Sequence, residues 1–159
     1  MERVALFVDV QNIYYTVKER YNKHFNYTVF WSLATANRKV ERAIAYAIDR
    51  GDKKQTAFQN ILRKIGFEVK LKPFIQRLDG SAKGDWDVGI TLDMMECVEF
   101  VDVIVLASGD GDFDLLVSKI KTQHHIPVEV YGVPNLTARS LIKSASKYIP
   151  IEKDLLLLQ

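Results

Sequence analysis

A chain of 159 residues, 48% hydrophobic and 26% charged, has the composition of an ordinary soluble globule and the length for one domain with a substantial core, expected to span 1–159. A single cysteine, Cys97, excludes a disulfide framework and a cysteine-rich zinc site and fits a reducing cytosol; its plain reading is a small buried apolar residue. No apolar run reaches membrane-spanning length, and MERVALFVDV is too short and too quickly acidic for a signal peptide, so no membrane association and a cytoplasmic location are expected.

In chain order, Val4 to Val8 is a short apolar run stopped by Asp9, and the polar segment with spaced aromatics from Asn12 to Tyr21 predicts a helix. The aromatic-rich stretch up to Asn37 predicts a short helix over Phe30 to Ala36. Val40 to Ile48 predicts the second strand, and Asp52 then caps a helix with Ala57, Phe58, Ile61, Leu62 and Ile65 at helical spacing, ended by Gly66. Phe67 to Phe74 alternates apolar and charged residues and carries Pro73, which marks an edge or near-edge strand; Arg77 to Gly84 is a Gly/Ser-containing loop.

From Asp85 to about Phe100 the spacing predicts a helix with Val88, Thr91, Leu92, Met95 and Val98 on its apolar stripe, the methionine pair serving as core filler. Val101 to Ala107 predicts the fourth strand, Asp112 to Gln123 its helix, and Pro127 to Tyr131 the fifth strand. Asn135 is expected to cap a helix through Ser144, and Tyr148 to Ile151 to form a last short strand. Leu155 to Leu158 either pack on the core, the favoured reading, or meet a second copy in a homo-oligomer. His24, His124 and His125 share no ligand spacing and read as surface residues. Strands alternating with helices predict an α/β fold, a doubly wound parallel sheet in the order 3-2-1-4-5.

The stretch VIVLASGDGDFDLL, from Val103 to Leu116, runs from hydrocarbon into Asp110, Asp112 and Asp114 at the turn between the fourth strand and its helix. One acid suffices as a helix cap; three exceed that need. In the order 3-2-1-4-5, strands 1 and 4 are neighbours at the point where the winding reverses, so Asp9 and Asp110 meet at their carboxyl ends, where such sheets bind ligands. Asp85 and Asp87 open the helix leading to strand 4 and reach the same rim. Each pair of carboxylates about 4 Å apart costs on the order of 4 kcal/mol at an effective dielectric near 20. Either some are protonated or a divalent ion neutralises them, and oxygen ligands without His or Cys select Mg²⁺ or Mn²⁺. A metal-dependent phosphodiesterase follows.

Charge is also uneven along the chain: residues 1–83 hold 16 Lys and Arg against 8 Asp and Glu, and residues 84–159 hold 6 against 12. A basic flank beside an acidic centre suits a polyanion brought to a cation-loaded site, although the lysines and arginines at 38–42 and 50–64 equally suit solvated helix faces.

Four segments carry a resemblance: FVDVQN from Phe7 to Asn12, KGDWDV from Lys83 to Val88, Leu92-Asp93, and SGDGDF from Ser108 to Phe113. Together they resemble the NYN domains, LabA-like members of the PIN-like nuclease superfamily, over essentially the whole chain. The resemblance implies a PIN-like fold, metal-dependent ribonuclease activity on RNA, and metal ligands at Asp9, Asp87, Asp110 and Asp112. It also implies a supporting or substrate-contacting role for Asn12, with Ser108 hydrogen-bonded within its turn. The family often reads K-G-V-D, whereas here Asp85 and Trp86 separate Gly84 from Asp87, so Asp85 competes for the role and Asp87 is favoured. Asp93, about 120° around the helix from Asp87, and Asp114, two residues after Asp112, are secondary candidates. Lys83, Arg38, Arg42 and Lys53 are candidate phosphate contacts. Tyr14, Tyr15 and Trp86 could stack on bases, though packing is the commoner role of such aromatics. The rival reading is a non-catalytic NYN module that binds nucleic acid or a regulatory protein partner. An aspartyl-phosphate enzyme is disfavoured because Gln11 stands two residues after Asp9, where a second acid belongs.

Overall fold

Residues 4–8 have no solvent exposure at all, and this buried strand is the axis about which the rest of the chain is wound. The computed structural model describes residues 1–73, 75–76, 82–83 and 85–158, the side chains of 75, 76, 82 and 83 excepted. The elements are β1 (Glu2–Asp9), α1 (Val10–Tyr21), β2 (His24–Phe25), α2 (Tyr27–Thr35), β3 (Arg38–Asp49), α3 (Lys53–Ile65) and β4 (Glu68–Pro73). After them come β5 (Ile75–Gln76), β6 (Ala82–Lys83), α4 (Asp87–Cys97), β7 (Val103–Ala107), α5 (Asp114–Gln123), β8 (Val128–Gly132), α6 (Arg139–Ser144), β9 (Lys147–Pro150) and β10 (Leu156–Leu157).

The main sheet has six strands in the order β4-β3-β1-β7-β8-β9, every neighbouring pair parallel. Its first five strands follow the expected order, and β9 adds a sixth beside the fifth. Side chains alternate along a strand, so β1 serves two cores. Val4, Leu6 and Val8 pack with Ile13 and Val17 of α1, Phe30 of α2 and Leu62 of α3. Ala5 and Phe7 pack on the opposite face with Ile90 and Met94 of α4 and Val117 and Ile120 of α5. The same alternation assigns Asp9 to the face of Phe7, the one covered by α4 and α5. β4 is an edge strand, as its Pro73 and alternating charges require. Among the described helices none is long and apolar enough to cross a membrane.

Three local expectations are corrected. The buried stripe of α4 is Ile90, Met94 and Cys97, whereas Val88 and Leu92 are 70% and 65% exposed; a helix with apolar residues on several faces does not show which one is inward. Asn135 is not a helix cap: it adopts φ 69°, Leu136 N–H donates back to the Val133 carbonyl, and α6 begins only at Arg139. Tyr27, rather than Phe30, opens α2, because Asn26 caps it by accepting from Val29 N–H. The loop expected over 77–84 lies, apart from the 82–83 backbone, outside the described residues. Of the terminal leucines, Leu155 and Leu156 are buried while Leu157 and Leu158 are exposed, with β10 pairing antiparallel to β2.

Candidate metal centre

β1 and β7 run in register from Val4 opposite Val103 to Val8 opposite Ala107, so both chains leave the sheet at one level. β1 turns at once into α1, and β7 turns through Ser108 and Gly109 into a short 3-10 turn, Gly111–Phe113, that leads into α5. The approach is close: a Cβ at Gly109 would sit 2.6 Å from the Leu136 carbonyl oxygen, which requires glycine there. Asn12 in the first turn of α1 holds the two exits together, its Oδ1 accepting from Gly109 N–H at 2.8 Å.

Ser108 has no solvent exposure and links the two strand ends. Its hydroxyl donates to Asp9 Oδ2 at 3.1 Å and accepts from Asp110 N–H at 3.1 Å. Asp110 in turn caps the 3-10 turn through Oδ1, which accepts from Asp112 N–H at 2.9 Å. The capping role anticipated for one acid of this turn is therefore real, and it occupies one of that carboxylate's two oxygens.

The first residue of α4 completes the group. Asp9, Asp87 and Asp110 each offer a carboxylate oxygen, and these oxygens all lie within 4.8 Å of one another. Oxygens bound to one hard cation at about 2.1 to 2.6 Å lie no more than roughly 4 to 5 Å apart, so the trio fits a shared divalent ion. The electrostatics agree. Burial pushes the Asp9 carboxyl up to about 6, against the Ser108 hydrogen bond, and Asp110 and Asp85 add to the rise. Asp87 is pushed up to about 7 by burial, then by Asp110, Asp85, Asp9 and Asp112. The charges acting most strongly on both are other carboxylates, the condition that a bound cation relieves.

Other candidates fall into distinct places. Asp112 is exposed and lines, with Asp87, Val88, Thr91, Leu92 and Phe113, a crevice of about 180 Å³ between α4 and the 3-10 turn. Asp85 is exposed at the approach to α4, and its Oδ1 accepts a long hydrogen bond of 3.4 Å from Asp87 N–H. Asp114 opens α5, half-buried. Asp93 points away from the trio: it accepts from Tyr46 Oη at 2.7 Å and Lys70 Nζ at 2.8 Å, and that ion pair holds its carboxyl below the usual range despite burial.

Of the basic candidates, Lys53 is exposed at the start of α3, and the Lys83 side chain lies outside the described residues. Arg38 pairs with Glu129 and Glu2 at the far end of the sheet. Arg42 lies opposite Ala5 of β1, near Glu68 and Glu96. Tyr14 and Tyr15 are exposed on α1, Tyr14 beside His24 and Lys18. Tyr46 and Lys70 went unnoticed in the sequence; nothing in their local context marks them as partners of an acid 23 or more residues away.

Comparison with known proteins agrees with this layout. The protein LabA, "low amplitude and bright", of Synechococcus elongatus is 28% identical over 158 residues, covering 94% of this chain and 83% of its own. The crystal structure of a protein of unknown function, VPA0982, from Vibrio parahaemolyticus superposes with a TM-score of 0.93 at 54% identity, over 98% of this chain and 96% of that one. The NYN domain model matches residues 3–152, from the second residue of β1 to beyond β9, and the chain belongs to the NYN domain family.

Proposed function

We propose that this protein is a ribonuclease that hydrolyses RNA phosphodiester bonds in the cytoplasm, with Mg²⁺ or Mn²⁺ held by Asp9, Asp87 and Asp110 and with Asp112 at the mouth of the site. One observation carries the reading: three carboxylates from three separate elements converge to within 4.8 Å at the carboxyl end of a parallel sheet. Membership of the NYN family supports a nucleic-acid-related role. A donor set of carboxylate oxygens without His or Cys suits hard cations. Such a cation supplies an activated water and a counter-charge for the displaced oxygen of an in-line phosphodiester cleavage.

The chain's own residues hold and orient this site. Ser108 aims Asp9, Asn12 fixes the Gly109 backbone beside it, and Asp112 N–H orients Asp110. Lys53, exposed at the start of α3, is the candidate contact for a phosphate backbone. Incubating the purified protein with pooled RNA, in Mn²⁺ and in chelator, tests the reading. Cleavage confined to the Mn²⁺ sample is expected, and identical RNA in both samples overturns it.

A further inference from the structure

Asp9 accepts a hydrogen bond from Ser108, and Asp110 accepts one from Asp112 N–H. Among the described residues nothing donates to the Asp87 carboxylate, and it offers an oxygen within 4.8 Å of those of Asp9 and Asp110. Its place is therefore set by the backbone of the first turn of α4, against electrostatic repulsion that pushes it outward. The side chain immediately before it shows what holds that turn.

We infer that Trp86 is a positioning residue whose indole locks the start of α4 onto the carboxyl end of β3 and so sets Asp87 opposite Asp9 and Asp110. The inference rests on the metal centre of the proposed function. Trp86 Nε1–H donates to the Ala47 carbonyl of β3 at 2.9 Å. The ring packs against Tyr46, 5.3 Å between centroids at 58°, and Tyr46 is the β3 residue in register with Asp9. The indole thus joins the helix that carries one carboxylate to the strand beside another. Lys72 adds a further tie: its Nζ lies 4.5 Å from the ring centroid and donates to the Asp85 carbonyl at 3.1 Å, fixing the backbone on the other side of Trp86.

Gly89 shows that the ring position is built in. The indole folds back along the first turn of α4, and a Cβ at Gly89 would stand 2.6 Å from Trp86 Cε3 and 3.0 Å from Cζ3. Any side chain there displaces the indole, which is held from its other sides by Ala47, Tyr46 and Lys72. The inference therefore has two independent handles, removing the indole and pushing it aside.

The test measures Mn²⁺ affinity, reading free Mn²⁺ by electron paramagnetic resonance, for wild type, Trp86→Leu, Gly89→Ala and Trp86→Phe. Each folded state is checked by circular dichroism in chelator. Trp86→Leu and Gly89→Ala are expected to raise the dissociation constant about tenfold or more, the range seen when supports of metal ligands are removed, and Trp86→Phe, which keeps a ring without the N–H, to fall between. Trp31→Phe, at the distant contact with Phe67, is expected to change the melting temperature without changing Mn²⁺ affinity. Saturating Mn²⁺ should restore RNA cleavage in Trp86→Leu and not in Asp87→Asn, a rescue that a general folding defect would not show. If Trp86→Leu does not fold, Gly89→Ala and Trp86→Phe carry the test. Wild-type affinity in the folded variants overturns the role of Trp86 and leaves the ribonuclease reading intact. Wild-type protein that binds Mn²⁺ and leaves RNA whole overturns the ribonuclease reading and leaves Trp86 in place; wild type that binds no Mn²⁺ overturns both.

Discussion

The two ends of β1 handle charge in opposite ways. At its start Arg38 reaches Glu129 through both terminal nitrogens, at 2.9 and 2.8 Å, and Glu2 through Nε at 2.8 Å, while Arg3 pairs with Asp102. Every one of these acids has a guanidinium against it. At its finish Asp9 meets Asp87 and Asp110, and among the described residues the charges that act on Asp9 and Asp87 are more carboxylates. Both ends adjoin the same buried strand, so packing alone does not account for the difference. Paired charge at one end secures the fold, whereas the like charge gathered at the other has no such partner among the described residues, an arrangement that suits a bound cation.

The largest expected effect is on activity. Asp9→Asn and Asp110→Asn should each lower Mn²⁺-dependent RNA cleavage roughly a hundredfold or more, since the bound ion is asked for several kcal/mol of charge stabilisation. Arg38→Met at the other end should instead lower unfolding free energy by about 3 kcal/mol in urea, because Glu129 loses its partner in a mostly buried pair, with cleavage per folded molecule unchanged. Cleavage that follows Arg38 rather than the aspartates would erase the contrast.

Ligand linkage comes next. Mn²⁺ at about a hundredfold excess over its dissociation constant should add about 2.7 kcal/mol to wild-type stability, roughly 5 to 10 °C in melting temperature. Asp110→Asn should melt above wild type in chelator, because repulsion is relieved, and gain less from the ion. Equal melting temperatures for both proteins with and without Mn²⁺ would reduce the acid cluster to a set of caps.

A similar effect is expected from pH in the metal-free protein. Asp9 lies at about 6 and Asp87 at about 7 in the folded state, against an unfolded value near 3.9. Across that interval the folded chain binds more protons than the unfolded one, so their contribution is fully present below about pH 4 and is lost as pH rises through 6 to 7. Asp9 accounts for roughly 3 kcal/mol of this, and Asp87, more open to solvent, for less. Asp9→Asn should flatten that part of the difference in stability between pH 4 and pH 8, measured by urea unfolding in chelator; an unchanged slope would mean the crowding is not felt.

The smallest effect sharpens the distinction between a cap and a ligand. Asp52, not one of the trio, accepts from Gln55 N–H at the start of α3, and Asp52→Ala should cost about 1 kcal/mol with no change in the Mn²⁺ response. A weakened Mn²⁺ response in that variant would show that capping, not ligation, links these acids to the ion.

Much of this arrangement is legible in the sequence. Apolar runs such as Val4 to Val8 and Val103 to Ala107, alternating with helical segments, mark strands of a parallel sheet covered on both faces, and the common doubly wound order then sets β1 beside β7, which brings Asp9 to Asp110. What could not be read depends on partners remote in sequence. Arg38 has the look of a phosphate contact until Glu129, 91 residues away, is seen beside it. Asp93 looks like one more acid of the cluster until Lys70 and Tyr46 claim it. The inward face of α4 is hidden in the sequence because Val88 and Leu92 are as apolar as Ile90 and Met94, and only the neighbouring strands decide which pair turns in.

The hydrogen bond from Ser108 to Asp9 spans 99 residues, and it has a consequence for how the protein comes into being. During synthesis Asp9 leaves the ribosome long before the segment that completes its surroundings, and β1 cannot gain its second neighbour until β7 has been made. Contacts of such wide separation form slowly, because the entropy of closing the intervening chain is lost before the pairing repays it. The acids therefore come together late, when most of the apolar core is available to oppose their repulsion, and a nascent chain cut short before residue 103 has Asp9 and Asp87 without the third acid of the cluster.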